Sequence, residues 1–202
     1  MPRPYESSII TAVQQACTEL GQDRKNTAIG TSACVYRFIV MKTHEDFMRL
    51  ALKEAEKARK IDEVPVGCVI VRDGKVIARG HNLKEKRMQA NAHAEMIAIQ
   101  KAAKKLNNWC LDDCDLYVTL EPCMMCTGAI ILYRIRNLYY GTTDPKGGCT
   151  DTLIQIKQIR HLNHHPNVTS GILQPECAQI LTSFFREKRK KPKKDKSQFQ
   201  SQ

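Results

Sequence analysis

Apolar positions set the first part of the chain in helical register and the second in strand register. Phe47, Leu50, Ala51, Ala55 and Ala58 recur at the spacing of one helix face. Thr43 precedes them as a cap, with Asp46 in the first turn. The period then changes. Val66 to Val71 is apolar and β-branched, Asp73-Gly74 is a two-residue turn signal, and Val76 to Ala78 reads as the return strand of a hairpin. His93 to Lys105 reads as a helix, Leu116 to Leu120 as a buried strand, and Pro122 opens a further helix to about Tyr133, with the proline at its first position. Leu138 to Tyr140 is strand-like and ends at Gly141. Thr150 to Arg160 reads as helical, Val168 to Leu173 as a short strand weakened by Gly171, and Pro175 to Lys190 as a closing helix. Strands and helices that alternate after an opening hairpin predict an α/β fold: a three-layer α/β/α sandwich with a mixed central β-sheet.

Residues 1–41 differ in texture. A short helix capped by Ser7 or Ser8, with Ile9, Ile10, Val13, Cys17 and Leu20 on one side, fades after Gly21 into polar residues. The expected organisation is an N-terminal extension (1–41), one globular domain (42–190) and a basic tail (191–202) expected to be disordered. The stretch carries Glu6, Glu19 and Asp23, which does not suit an organellar transit peptide, and no charged-then-apolar start suggests export. A cytoplasmic, reducing location is therefore expected, with the nine cysteines as thiols, metal ligands or redox sites rather than a disulfide framework. No apolar run is long enough to span a bilayer.

Charge adds a partner class. The formal net charge is +11, and between Arg186 and Lys196 eight basic residues accompany only two acids. A cationic surface of this kind suits a polyanion, because phosphate contacts release counterions, although a solubilising tail would have the same composition.

The chemistry is concentrated in two short segments. His93-Ala94-Glu95 is followed, after 26 residues, by Pro122-Cys123-Met124-Met125-Cys126. Two cysteines three apart on one helical turn point the same way. Amides at a helix N-terminus favour thiolate, the form a zinc ion takes as ligand. His93, Cys123 and Cys126 give three ligands; a catalytic zinc keeps its fourth position for water, whereas a structural zinc is closed by four. Glu95 stands two residues beyond His93, within reach of such a water, as a general base must be. The alternative at this point is a structural zinc closed by Cys149 or His164.

These residues resemble the zinc motif of the cytidine and adenosine deaminase superfamily. Glu63-Val64-Pro65-Val66-Gly67, Gly80-His81-Asn82, Leu116 to Glu121, Asp144-Pro145-Lys146-Gly147-Gly148 and Phe184-Phe185-Arg186 are similar to the bacterial tRNA-specific adenosine deaminases, the TadA family. The likeness runs over about residues 43–190. It implies a cytidine deaminase-like fold, one Zn2+ per subunit on His93, Cys123 and Cys126, and Glu95 as the proton shuttle. It implies a homodimer acting on the tRNA anticodon arm, where the wobble adenosine becomes inosine. At matching positions it implies that Asn82 hydrogen-bonds the flipped nucleoside, that Asp144 and Lys146 lie in the loop receiving the anticodon, and that Phe185 and Arg189 meet the anticodon loop from the last helix.

The chain departs from that family in three places. Asn163-His164-His165 stands where Asn-His-Arg is usual, which weakens one phosphate contact. The tail is richer in lysine than a catalytic core needs. Residues 1–40 have no counterpart, and Met41 is a candidate for the true start of an over-long gene model. Two further readings stay open on the sequence: a deaminase of a free base or nucleotide (cytosine, guanine or dCMP), and an RNA-binding module with an inactive or structural zinc.

Overall fold

Thr43 starts the described structure as expected. Its side chain accepts from the Asp46 N–H, and the Asp46 carboxylate accepts from the Thr43 N–H, a reciprocal cap that satisfies two orphan donors. The computed structural model describes residues 42–190. The expected N-terminal helix, the extension 1–41 and the tail 191–202 lie outside the described residues.

From this cap runs α1 (His44–Lys60), followed by the hairpin β1 (Gly67–Arg72) and β2 (Lys75–His81). Asp73 and Gly74 both take positive φ at the hairpin turn, the backbone that matches the twist of the flanking strands. A one-turn helix α2 (Lys84–Arg87) leads to α3 (Ala94–Leu106), β3 (Asp115–Leu120), α4 (Met124–Leu132) and β4 (Asn137–Thr142). A 3-10 turn (Ile156–Gln158), the short β5 (Asn167–Thr169) and α5 (Gln174–Lys190) complete the domain.

The strands form one mixed sheet in the order β2-β1-β3-β4-β5. β1 is antiparallel to β2 and β3, while β3, β4 and β5 run parallel. Alternation along the strands builds two cores. Cys68, Ile70, Leu116 and Val118 pack with Ala98, Ile99 and Ile130 on the face covered by α3 and α4. Val69, Val71 and Tyr117 pack with Phe47, Met48, Ala51 and Cys177 on the face covered by α1 and α5. The result is the expected three-layer sandwich with a mixed sheet.

One glycine sets how deeply α3 sits. A Cβ on Gly80 of β2 would overlap the Ala94 carbonyl and crowd the Ala98 amide. The first turn of α3 therefore rests directly on the strand.

Four local expectations are corrected. Pro122 does not occupy the first helical position: Cys123 is the N-cap, with extended backbone, because it bridges to Gly148 before α4 begins. β4 continues through Gly141 to Thr142, because Thr142 still pairs with Leu120 of β3, and the glycine leaves room for Cys177 of α5. The segment 150–160 is not a helix. The amides of Thr150, Asp151 and Thr152 all donate to the Glu121 carboxylate instead of forming a helical ladder. The strand expected over 168–173 stops at Thr169, and Gly171 turns with φ of +85°.

Two stability effects follow. Thr43→Ala should lower unfolding free energy by about 1 kcal/mol through loss of the cap. Gly80→Ala should lower it by about 2 kcal/mol through overpacking against α3. Urea titration of the two variants checks both values.

Candidate metal and catalytic centre

Two helices begin at the same point. His93 is the N-cap of α3 and Cys123 the N-cap of α4; both have extended backbones, and neither side chain makes a cap hydrogen bond to its own helix. Both side chains are therefore available to each other. The Nδ1 atom of His93 lies 3.7 Å from the Cys123 sulfur and 3.7 Å from the Cys126 sulfur. All three donor atoms lie within 4.8 Å of one another, and this is the one such group of at least three His, Cys, Asp or Glu among the described residues. Ligands held about 2.0–2.3 Å from a tetrahedral zinc stand about 3.6 Å apart, so the triangle fits a metal without rearrangement. Cys149 and His164, the candidate closing ligands, do not belong to the group. His164 Nε2 instead meets the Ile135 carbonyl at 2.6 Å, and His165 Nε2 meets the Ile159 carbonyl at 2.8 Å.

The electrostatics suit a cation. Hydrogen bonding from the Cys126 thiol and from the His93 ring holds the Cys123 thiol down to about 4. Cys126 is pushed the other way, first by its contact with Cys123 and then by burial. Two thiolates this close repel, so the pair keeps one proton, on Cys126, until a cation displaces it. Contact with Cys123 also raises His93.

Glu95, in the first turn of α3, is buried beside this triangle at 4% exposure. Burial raises its carboxyl above the usual carboxylate range, the direction that suits a group which both takes and gives protons near neutrality.

Asn82 caps α3 from outside. Its Oδ1 accepts from the Ala94 N–H at 2.9 Å, one of the orphan donors of the helix start. Because a backbone donor fixes the oxygen there, the side-chain NH2 is the part of Asn82 left to meet a ligand. Asn82 also lines an open cleft of about 770 Å³ with Lys84, Lys86, Phe185 and Lys188. Phe184 is buried and Phe185 is 43% exposed, so the pair divides between core and surface. Arg189 lies further along α5 and is exposed.

Asp144 and Lys146 sit apart from that cleft, in the loop after β4. The Asp144 carboxylate accepts from the Lys146 N–H at 3.0 Å and so shapes the turn, leaving the Lys146 side chain exposed. The structure thus brings His93, Glu95, Cys123, Cys126 and Asn82 to one point, and places Phe185 on the adjoining cleft.

Two buried carboxylates escaped the sequence reading. Glu121 accepts from four backbone amides of the loop that carries Asp144. Glu63 accepts from the Lys86 N–H at 2.7 Å and holds α2 beside the cleft. The available signal was an acid directly before Pro122-Cys123 and another opening the Glu63-Val64-Pro65 segment, each in a sequence otherwise about to be buried.

The family model of MafB19-like deaminases matches residues 42–189. The tRNA-specific adenosine deaminase of Bacillus subtilis (strain 168) is 49% identical over 153 residues, covering 76% of this chain and 95% of that protein. The chain belongs to the tRNA-specific adenosine deaminase family. Another tRNA-specific adenosine deaminase, from Agrobacterium fabrum, is 49% identical over 148 residues, 73% of this chain and 96% of its own. A solved tRNA:A34 deaminase superposes with a TM-score of 0.65 at 47% identity, over 67% of this chain and 98% of that one. The fold is thus the cytidine deaminase-like fold of these deaminases. A guanine deaminase from Nitrosomonas europaea, with a TM-score of 0.64 at 21% identity over 80% of this chain and 96% of its own, shares the fold alone.

Metal loading of this deaminase should be pH-dependent with a definite sign. A ligand imidazole must be neutral and both sulfurs deprotonated, so binding displaces protons from His93 and Cys126. Affinity should fall by roughly tenfold or more per pH unit on acidification, most steeply below the raised His93 range. Chelator competition for Zn2+ between about pH 6 and about pH 8 measures this; a flat profile would contradict the ligand set.

Proposed function

We propose that the chain is a zinc-dependent enzyme that hydrolyses the wobble adenosine of a tRNA anticodon to inosine. The observation that carries the reading is the juxtaposition of a three-donor metal triangle, a buried carboxylate and the Asn82 amide, with Asn82 also lining an open cleft that holds Phe185, three lysines and three acids. The high identity to named tRNA-specific adenosine deaminases supports the RNA substrate. The guanine deaminase likeness does not separate RNA from free bases, since it concerns the fold.

His93, Cys123 and Cys126 would hold the zinc, and their donor set of two thiolates and one imidazole is one of those used by zinc base deaminases. When bound, zinc brings the pKa of a coordinated water to about 7 and so supplies a nucleophile for C6 of adenine. Glu95 does the proton work. Its carboxylate would take one proton from the attacking water and deliver it to the ring N1, then take the second from the new C6 hydroxyl and deliver it to the exocyclic amine, which leaves as ammonia as the C6–N bond breaks. Burial raises the carboxyl above its ordinary value, the direction that favours a group which must hold a proton as well as take one. The Asn82 NH2 donates to the nucleoside, with its orientation fixed because Oδ1 is engaged by Ala94.

Around this centre, Phe185 offers an aromatic face to a splayed base, and Arg189 and Lys146 offer cations to phosphate. Asp144 shapes the loop that carries Lys146. The reading includes a homodimer: Met124 and Leu132 are exposed apolar residues two turns apart on α4, the pattern of a covered helix face. Leu132→Lys should then shift the protein from dimer to monomer in sedimentation. A cytoplasmic location accords with this substrate, and no described helix is long and apolar enough to cross a membrane.

An anticodon stem–loop with adenosine at the wobble position, assayed beside free nucleosides, tests the substrate. Inosine in the RNA alone is expected; turnover of free bases alone would replace the reading by a small-molecule deaminase, and tight RNA binding without product by a binding module. Glu95→Ala should abolish inosine formation while leaving one zinc per chain, and retained turnover would overturn the role given to Glu95.

A further inference from the structure

Glu121 joins the two halves of the site. It lies between the end of β3 and the turn that carries Cys123, and it is 2% exposed. Its Oε1 accepts from the N–H groups of Thr150 at 3.1 Å, Asp151 at 2.9 Å and Thr152 at 2.9 Å. Its Oε2 accepts from the Asp144 N–H at 3.1 Å and from the Thr152 hydroxyl.

The surrounding backbone reinforces the same junction. The Glu121 N–H donates to the Thr142 carbonyl at 2.8 Å, and the Cys149 N–H donates to the Pro122 carbonyl at 2.8 Å. Cys123 bridges to Gly148, where a Cβ would overlap the Glu121 carboxylate and the Asp144 carbonyl. Thr127 of α4 meets Thr150 hydroxyl to hydroxyl at 3.2 Å. A single carboxylate thus gathers both ends of a nine-residue loop onto the residue pair that precedes a candidate metal ligand.

We propose that Glu121 is a positioning residue for substrate capture: it pre-sets the loop of Asp144 and Lys146 at a fixed distance from the metal turn, so that the RNA meets an ordered surface. The entropy of ordering that loop is then met on folding rather than on binding. Loss of the clamp acts on capture of the RNA and leaves the metal triangle and Glu95 in place, because among the described residues the Glu121 carboxylate hydrogen-bonds none of the His93, Glu95, Cys123 or Cys126 side chains, and Cys123 meets the loop through its backbone bridge to Gly148. The inference rests on the RNA-deaminase reading for its substrate and on the loop geometry alone for the clamp.

Glu121→Gln separates the two ends of the loop. Three amides converge on Oε1, so they select the amide oxygen of the glutamine. Its NH2 then faces the Asp144 N–H, donor against donor, and the Asp144 end is released. Hydrogen exchange on the zinc-loaded protein should show faster exchange at the amides of residues 144–152, with zinc still at one per chain. With the stem–loop, KM should rise about tenfold, the loss expected of one charge-assisted hydrogen bond, with kcat changed by no more than about twofold. Thr152→Val, which removes only the hydroxyl, should move exchange and KM in the same direction by less, and it decides the matter if the glutamine variant does not fold. Unchanged exchange, loss of zinc, or a fall in kcat at constant KM would overturn the proposal. The exchange arm needs no substrate, so it judges the clamp even where the wild-type protein makes no inosine.

Discussion

The whole arrangement depends on two helix N-termini being brought to one place. An α-helix start carries unpaired amides and a positive end of its dipole, which is unfavourable to bury unless something accepts those donors. Here one start is capped by Asn82 from outside, and the other sits beside the sulfur of Cys123, whose thiol is held down to about 4. The N-cap side chains themselves are left free to face one another across 3.7 Å. The helix starts favour negative charge on the sulfurs, and a cation between His93, Cys123 and Cys126 would in turn neutralise those sulfurs, so the helix packing and the candidate metal triangle support each other.

The sheet supplies the geometry that lets this happen. β3 and β4 are parallel, so the chain leaving β3 must cross over, and α4 is that crossover. α3 lies close on β2 because Gly80 lets the Ala94 backbone touch the strand. Both helices begin on the same face of the sheet. Glu95 is then buried by the architecture itself, and its raised carboxyl is a consequence of packing rather than of a dedicated charge partner.

Two further buried acids control what surrounds the centre. Glu63 holds α2 through the Lys86 amide, and Glu121 holds the loop after β4 through four amides and a hydroxyl. Each converts an irregular segment into a defined wall by accepting donors that would otherwise lack partners. The candidate metal triangle and the walls around it are therefore separable: one is set by helix starts, the other by carboxylate clamps.

Much of this was written locally. The cap at Thr43, the Asp73-Gly74 turn, the alternation in β1 and β3 and the His-x-Glu and Pro-Cys-x-x-Cys spacings act over a few residues, so the sequence by itself determined those elements, the layering and which side chains form the candidate metal triangle. Segments whose hydrogen bonds close over longer distances were not legible. Thr150 to Arg160 has helix-compatible residues, but Glu121, about thirty positions earlier, takes its first amides and the helix never starts. Asn82 reads as a residue able to donate and accept; only the Ala94 amide fixed which half remains for a ligand. Local propensity fixes what a residue can do. Which of its partners it meets is decided by the tertiary structure, because a buried donor or acceptor must find its match wherever the fold brings one within reach.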